Sequence, residues 1–312
     1  MHITSPPQYA ALEREAAELP KLTLASTPEV VVGTVATTHK ATPVSRLAAW
    51  LLGVLPGMLM TLLSLGLFIA FWYFATRYRL DFYVRFTNIP SPGEVLANAA
   101  NLVHSDKFYN NMWVSVRRIL LGFGIATVLG VLFGLLIGQY RVMRGLMWPM
   151  FEVLRPIPAI AWVPMAIMLW PTNETSIVFI TFLGSFFPIL LNTIHGVNSV
   201  DPVLVRAGRC LGAGESALLR QVILPAALPH IFTGLTIGMG VAWVSLIAAE
   251  MISGQFGIGY FTWEAYSLIQ YADIAIGMIV IGVLGLACSG GIRLLGNAMM
   301  PWLSNPASRG RS

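Results

Sequence analysis

Residues 47–75 run for 29 positions without one charged side chain. A helix needs about 20 apolar residues to cross the hydrocarbon core of a bilayer. At ~1.5 Å per residue this stretch reaches past roughly 40 Å, enough to cross with tilt to spare. Five further runs follow, at 119–140, 156–170, 176–197, 231–249 and 274–295. The run 156–170 is interrupted by Pro156, Pro158 and Pro164. The chain therefore reads as an all-α polytopic membrane protein of about six transmembrane helices. The membrane region covers 46–303, between a flexible amino-terminal tail, 1–45, and a short carboxy-terminal tail, 304–312.

Composition supports lipid as the solvent. Only 11% of the 312 residues are charged and 56% are hydrophobic, against about 25% charged in a soluble domain. The net charge of +5 belongs to loop arginines rather than to a nucleic-acid surface. Cys210 and Cys288 have no close-spaced partners, so neither a disulfide framework nor a metal site is expected. The first 46 residues lack a basic region followed by an apolar one and do not read as a signal peptide. A short helix over 10–19 is expected there.

Orientation follows from loop cations. With the amino terminus inside, the cytoplasmic set is Arg14, Lys21, Lys40, Arg46, Arg141, Arg144, Arg155, Arg206, Arg209, Arg220, Arg293, Arg309 and Arg311. The other six, Arg77, Arg79, Arg85, Lys107, Arg117 and Arg118, fall in or beside the first external loop, and the two later external loops carry no Lys or Arg. Both termini are expected in the cytoplasm. In the second span Gly130, Gly134 and Gly138 recur every four residues, and Gly234 with Gly238 repeats the device in the fifth. Such rows let helix backbones touch, either as a sliding interface or as static packing.

One polar segment stands between two greasy ones: "RAGRCLGAGESALLRQVILP", Arg206 to Pro225. Pro202 suits a first helical turn, and Leu204, Ala207 and Leu211 make one apolar stripe. Gly212 and Gly214 break the run. A second helix from Glu215 carries Leu218, Leu219 and Val222 until Pro225 stops it. The pair is amphipathic, too short to cross, and needs either a partner surface or the headgroups beneath it.

This stretch resembles the EAA loop of permease subunits from ATP-binding-cassette importers. That pattern is Glu-Ala-Ala, three residues, Gly, nine residues, then Ile-x-Leu-Pro. The matching positions are Arg206, Ala207, Gly208, Gly212, Val222, Leu224 and Pro225, with Arg206 in place of Glu, Gly208 of the second Ala and Val222 of Ile. The resemblance extends from about residue 89 to 302. "IPSPGEV" is similar to the segment after the first span, and "LRPIPAIAWVPMAIMLW" to the third-helix signature of nitrate/sulfonate/bicarbonate-type permeases. The stretch "TGLTIGMGVAWVSLIAAEMISGQFGIGYFTWEAY" is most similar to the nitrate and cyanate members, especially over Gly257–Tyr260 with Trp263. "NETSI", from Asn173, is similar to the sulfonate group.

The resemblance implies a type I importer permease fold in a bacterial inner (plasma) membrane. The loop 202–225, with Arg206, Ala207, Gly208, Leu211, Gly212, Glu215, Leu224 and Pro225, would couple it to a separate ATPase subunit. It also implies a periplasmic or lipid-anchored substrate-binding protein, a second permease copy and membrane lipid as partners, and no nucleic acid. ATP and Mg would sit on the partner. The residues agree: a phosphate-binding loop needs Gly-Lys-Ser/Thr, and the three lysines, Lys21, Lys40 and Lys107, follow no glycine. No H-E-x-x-H or G-x-S-x-G occurs, so an enzyme is not expected.

Candidate residues along a path for a small anion are Arg117, Arg118, Arg155, Trp162, Trp243, Glu250 and Trp263. A cation near hydrocarbon needs a partner or a cavity. Arg155 has Glu152 three positions earlier as an ion-pair partner, and Arg117 and Arg118 can instead snorkel to the interface. A carboxylate at Glu250 would repel an anion and suits a gate or helix packing. His195 suits a satisfied polar contact, and the tryptophans can belong to interfacial belts. A nitrate-type anion is expected, with taurine, alkanesulfonates or bicarbonate as alternatives. A stand-alone secondary transporter or channel would show inverted repeats; only the proline-broken third run suggests one, and no second half repeats it.

Overall fold

The computed structural model describes residues 43–79 and 88–302, with side chains from residue 56 onward. The helix expected at 10–19 and nearly all of both tails lie outside these residues. The chain divides into two compact units, Met1–Leu62 and Leu63–Ser312. Among the described residues every regular element is helical. The helix α1, Pro43–Arg77, begins in the first unit, and everything after it belongs to the second.

The helix α2, Pro92–Leu102, opens on a capping box: Ser91 Oγ accepts from Glu94 N–H, and the Glu94 carboxylate accepts from Ser91 N–H. Then come α3, Asp106–Gln139, and α4, Arg141–Leu154. A 3-10 turn, Ala159–Trp162, leads into α5, Val163–Leu169. The long α6 is Asn173–Asn198 and the short α7 is Pro202–Cys210. A single turn α8, Glu215–Leu218, passes through a π-helical turn, Leu219–Ile223, into α9, Leu224–Ser253. The chain ends on α10, Ile258–Ser267, and α11, Tyr271–Met299.

Among the described residues five helices are long and apolar enough to cross a membrane, or six if the bent pair Arg141–Leu154 and Ala159–Leu169 counts as one crossing. That pair corrects the reading of 156–170 as a span of its own. The chain bends there by 85°, because Pro156 and Pro158 supply no N–H to continue the ladder. Pro225 is a second correction. It does not stop the helix that starts at Glu215, which continues to Ser253. Pro225 falls in the first turn of α9, where a missing N–H costs nothing, and the π-helical turn before it absorbs the register change.

The core is α6 held between α3 and α9, and glycine sets both contacts. A Cβ at Gly130, Gly134 or Gly138 of α3 would lie 2.9, 2.5 or 2.7 Å from Ile189, Thr193 or Val197 of α6. On the other side, a Cβ at Gly234 of α9 would lie 2.7 Å from Asn192 and one at Gly238 3.0 Å from Ile189. Backbones this close collect dispersion contacts where no hydrophobic drive exists between helices. Around this seam Ile119, Ile180, Ala242 and Leu246 form one buried cluster, and Phe186, Ile189 and Leu190 another. The outward faces of α1, α3 and α11 are lined by exposed Leu, Phe, Ile and Val, the composition expected against acyl chains.

Candidate functional site

The loop between α6 and α9 is built by local chemistry. Asp201 caps α7, its Oδ1 accepting from Val203 N–H at 2.8 Å, and Pro202 occupies the first turn. The helix ends at a corner where Gly212 takes φ +82, a left-handed backbone that disfavours a side chain. Gly208 lies against Leu218, so α7 folds tightly back onto α8. Arg209 Nη2 reaches Glu215 Oε1 at 3.0 Å and ties the two sides of the corner. Val205 faces inward toward the cluster of Val197, Ile223 and Ala227, and Gly208 faces inward onto Leu218 and Val222. Val203, Leu204, Arg206, Ala207 and Leu211 are exposed. Leu224 and Pro225 belong to the first turn of α9 instead of a loop.

A second site lies at the other end of the core, where α3 presents Asn111, Ser115 and Arg118 on one face at helical spacing. All three are buried, and so is Glu250 in the last turn of α9. The Glu250 carboxylate accepts from Arg118 Nη1 at 2.9 Å, Ser115 Oγ at 2.8 Å and Gly259 N–H at 2.9 Å. Ser115 Oγ in turn accepts from Ile258 N–H at 2.9 Å, and Asn111 Oδ1 from Gly257 N–H at 3.0 Å. The amino end of α10 is thus capped by side chains of α3 and α9, with a carboxylate at the positive end of the helix dipole. Gly257 has φ +120, and a Cβ there would land on the Glu250 carboxylate. Arg118 also donates to Phe256 O at 2.6 Å and pairs with Glu174, the first-turn acid of α6, which Arg117 reaches at 3.2 Å.

These contacts sort the sequence candidates. Arg118 does not snorkel: its charge is buried between two carboxylates, while Arg117 stays half exposed. Glu250 packs helices together. Arg155 pairs with Glu152 at 3.5 Å. Arg155 and Trp162 line a cleft of about 550 Å³ between the bend and α6 and α9, whose other polar side chains are Asn192 and Ser245. Trp243 is buried in the core; Trp263 is half exposed against Tyr266, with ring centroids 5.5 Å apart. The ring of His195 meets that of His230 edge-on at 5.0 Å. Sequence reasoning missed Asn111, Ser115 and Glu174. The polar stripe Asn111–Ser115–Arg118 ahead of an apolar helix was the available signal.

Comparison with known proteins places this architecture. The chain is 35% identical over 224 residues to the nitrate import permease protein NrtB of Synechocystis sp., covering 69% of this chain and 82% of that one. It is 33% identical over 219 residues to the taurine transport system permease protein TauC of Escherichia coli (strain K12), covering 69% and 80%. A solved structure, titled "Crystal structure of an amino acid ABC transporter with histidines", matches its fold with a TM-score of 0.50 at 19% identity, over 65% of this chain and 96% of that one. The profile described as "Binding-protein-dependent transport system inner membrane component" matches residues 126–304. With its membrane-length helices and glycine-seamed core, the chain belongs to this family of multi-pass transport components.

Proposed function

We propose that this chain forms the translocation path of an ATP-binding-cassette importer for a small anion of the nitrate type, and that residues 202–225 couple it to a separate ATPase subunit. The observation that carries the coupling is α7 with its Gly212 corner: a rigidly capped helix whose outer face nothing among the described residues covers. Both termini and this loop lie in the cytoplasm on the loop-arginine bias. The Asn111–Glu250 centre then lies toward the outside. A cysteine placed at Asn173 should react with impermeant thiol reagent in intact cells, and cysteines at Ser5 and Ser308 should not. The reverse pattern would refute the orientation.

The path is best placed at the cleft beneath the bend. Arg155, Asn192 and Ser245 line it, and polar groups at membrane depth need water or protein beside them. A second copy facing this cleft would enclose it. Arg118 is withdrawn from the solute, since Glu174 and Glu250 already hold its charge. The nitrate and taurine relatives differ by only two percentage points of identity (35 against 33), so overall similarity does not choose the anion. The preference for nitrate rests on the similarity of the 257–263 segment to the nitrate and cyanate members, within which Gly257 and Gly259 serve the Glu250 centre.

The test is uptake into vesicles holding the chain with its ATPase subunit and binding protein. Labelled nitrate should enter only with ATP, and unlabelled nitrate should compete far better than taurine. Gly212→Val, which forces a β-branched residue into φ +82, should abolish uptake without blocking insertion. Taurine competing better would overturn the solute alone, and uptake unimpaired in Gly212→Val would overturn the coupling.

A further inference from the structure

The outward face of α7 has an unusual makeup. Because Val205 and Gly208 point inward, the opposite side carries Val203, Arg206, Ala207 and Cys210, flanked by Leu211. Leu211 is 88% exposed and Val203 55%. Cys210 is an exposed free thiol. Of the two arginines on the helix, Arg209 is neutralised by Glu215. Arg206 has no ion-pair partner among the described residues, nor has Arg220 one helix further on.

A helix made to lie on a bilayer segregates its apolar side chains from its cations. Here the apolar groups and the unpaired cation share one outward face. Its middle is small, Ala207 and Cys210, which lets another backbone approach closely. That pattern fits a narrow groove with an apolar floor, and a cation entering such a groove loses water unless an acid meets it. Resting on the coupling reading above, we infer that α7 docks in a groove of the ATPase subunit whose rim bears a carboxylate opposite Arg206, so that this charge pair selects the partner. An ATPase subunit with a basic rim would be rejected by like charge.

The experiment uses membranes containing the chain and the ATPase subunit that copurifies with it, in a Cys288→Ser background. Two quantities are read: ATPase retained on the affinity-purified chain, and the rate of maleimide modification at Cys210. Binding should shield Cys210. Arg206→Glu should lower ATPase retention on the order of 10-fold or more and unshield Cys210, because like charges now oppose; Arg206→Lys should keep most of both. Val203→Asp should also release the ATPase. Full retention in Arg206→Glu with loss in Val203→Asp would overturn the acidic rim and leave the coupling reading standing. Retention in both variants would overturn the coupling reading as well. Shielding of Cys210 without the ATPase, in phosphatidylglycerol vesicles but not phosphatidylcholine ones, would place α7 on the membrane and overturn the inference.

Discussion

Glu250→Ala is expected to destabilise the folded chain by about 3–5 kcal/mol, the usual consequence of removing one member of a buried ion pair. The carboxylate is wholly buried and meets Arg118, Ser115 and the amino end of α10 together. Truncation leaves Arg118 with Glu174 as its one remaining carboxylate, beside Phe256 O, and strands the Ser115 hydroxyl and the Gly259 N–H without an acceptor. Each stranded donor costs ~1–3 kcal/mol. The vacated space would be lined by an arginine, a hydroxyl and backbone N–H groups at a helix start, which is anion-binding chemistry. Formate is a free carboxylate and should refill it. At ten times its dissociation constant it would restore roughly 1.4 kcal/mol, seen as a rise in unfolding temperature in Glu250→Ala detergent samples and none in wild type. Glu250→Gln, which keeps the volume and one acceptor oxygen, should lose less. A Glu250→Ala chain as stable as wild type, or one indifferent to formate, would refute this account of the centre.

The same centre shows what was legible in the amino-acid sequence and what was not. Hydropathy counts the free energy of moving single side chains into lipid, so it finds α1, α6 and α11 as apolar runs. It stops at Arg118, yet α3 begins at Asp106, a full three turns earlier. Arg118 is buried because Glu250, 132 residues away, shares its charge, and no local window contains that partner. Pro225 misled for a related reason. Its missing N–H breaks a helix where an i→i−4 bond would be lost, but the π-helical turn before it shifts the bonding register and the helix runs on through Pro225. The corner at Gly212 was legible because its cause is local: a positive φ that glycine adopts freely. The glycine row of α3 announced a close helix contact, but its partner residues on α6 come from the fold.

That contact supplies the second large effect, and it is one of sign. Gly124 and Gly134 lie on the same helix, ten residues apart. Around Gly124 a Cβ would meet nothing within 4 Å, whereas at Gly134 it would lie 2.5 Å from the Thr193 Cβ and 3.1 Å from the Leu190 carbonyl oxygen. Gly134→Ala must therefore push α3 off α6, and the Leu190 backbone cannot rotate aside as a side chain could. Overpacking of this kind costs about 1–3 kcal/mol, and the shift also loosens the contacts at Gly130 and Gly138, which share the seam. Gly124→Ala removes backbone freedom from the unfolded chain without a clash, so it should be neutral or stabilising by up to ~1 kcal/mol. In one detergent, each against wild type, the unfolding midpoint of Gly134→Ala should fall while that of Gly124→Ala stays level or rises. Equal shifts would mean that α3 does not touch α6 along this row. A Gly134→Ala, Thr193→Ala pair should recover part of the loss, since Thr193 would then surrender its Cγ2 and hydroxyl.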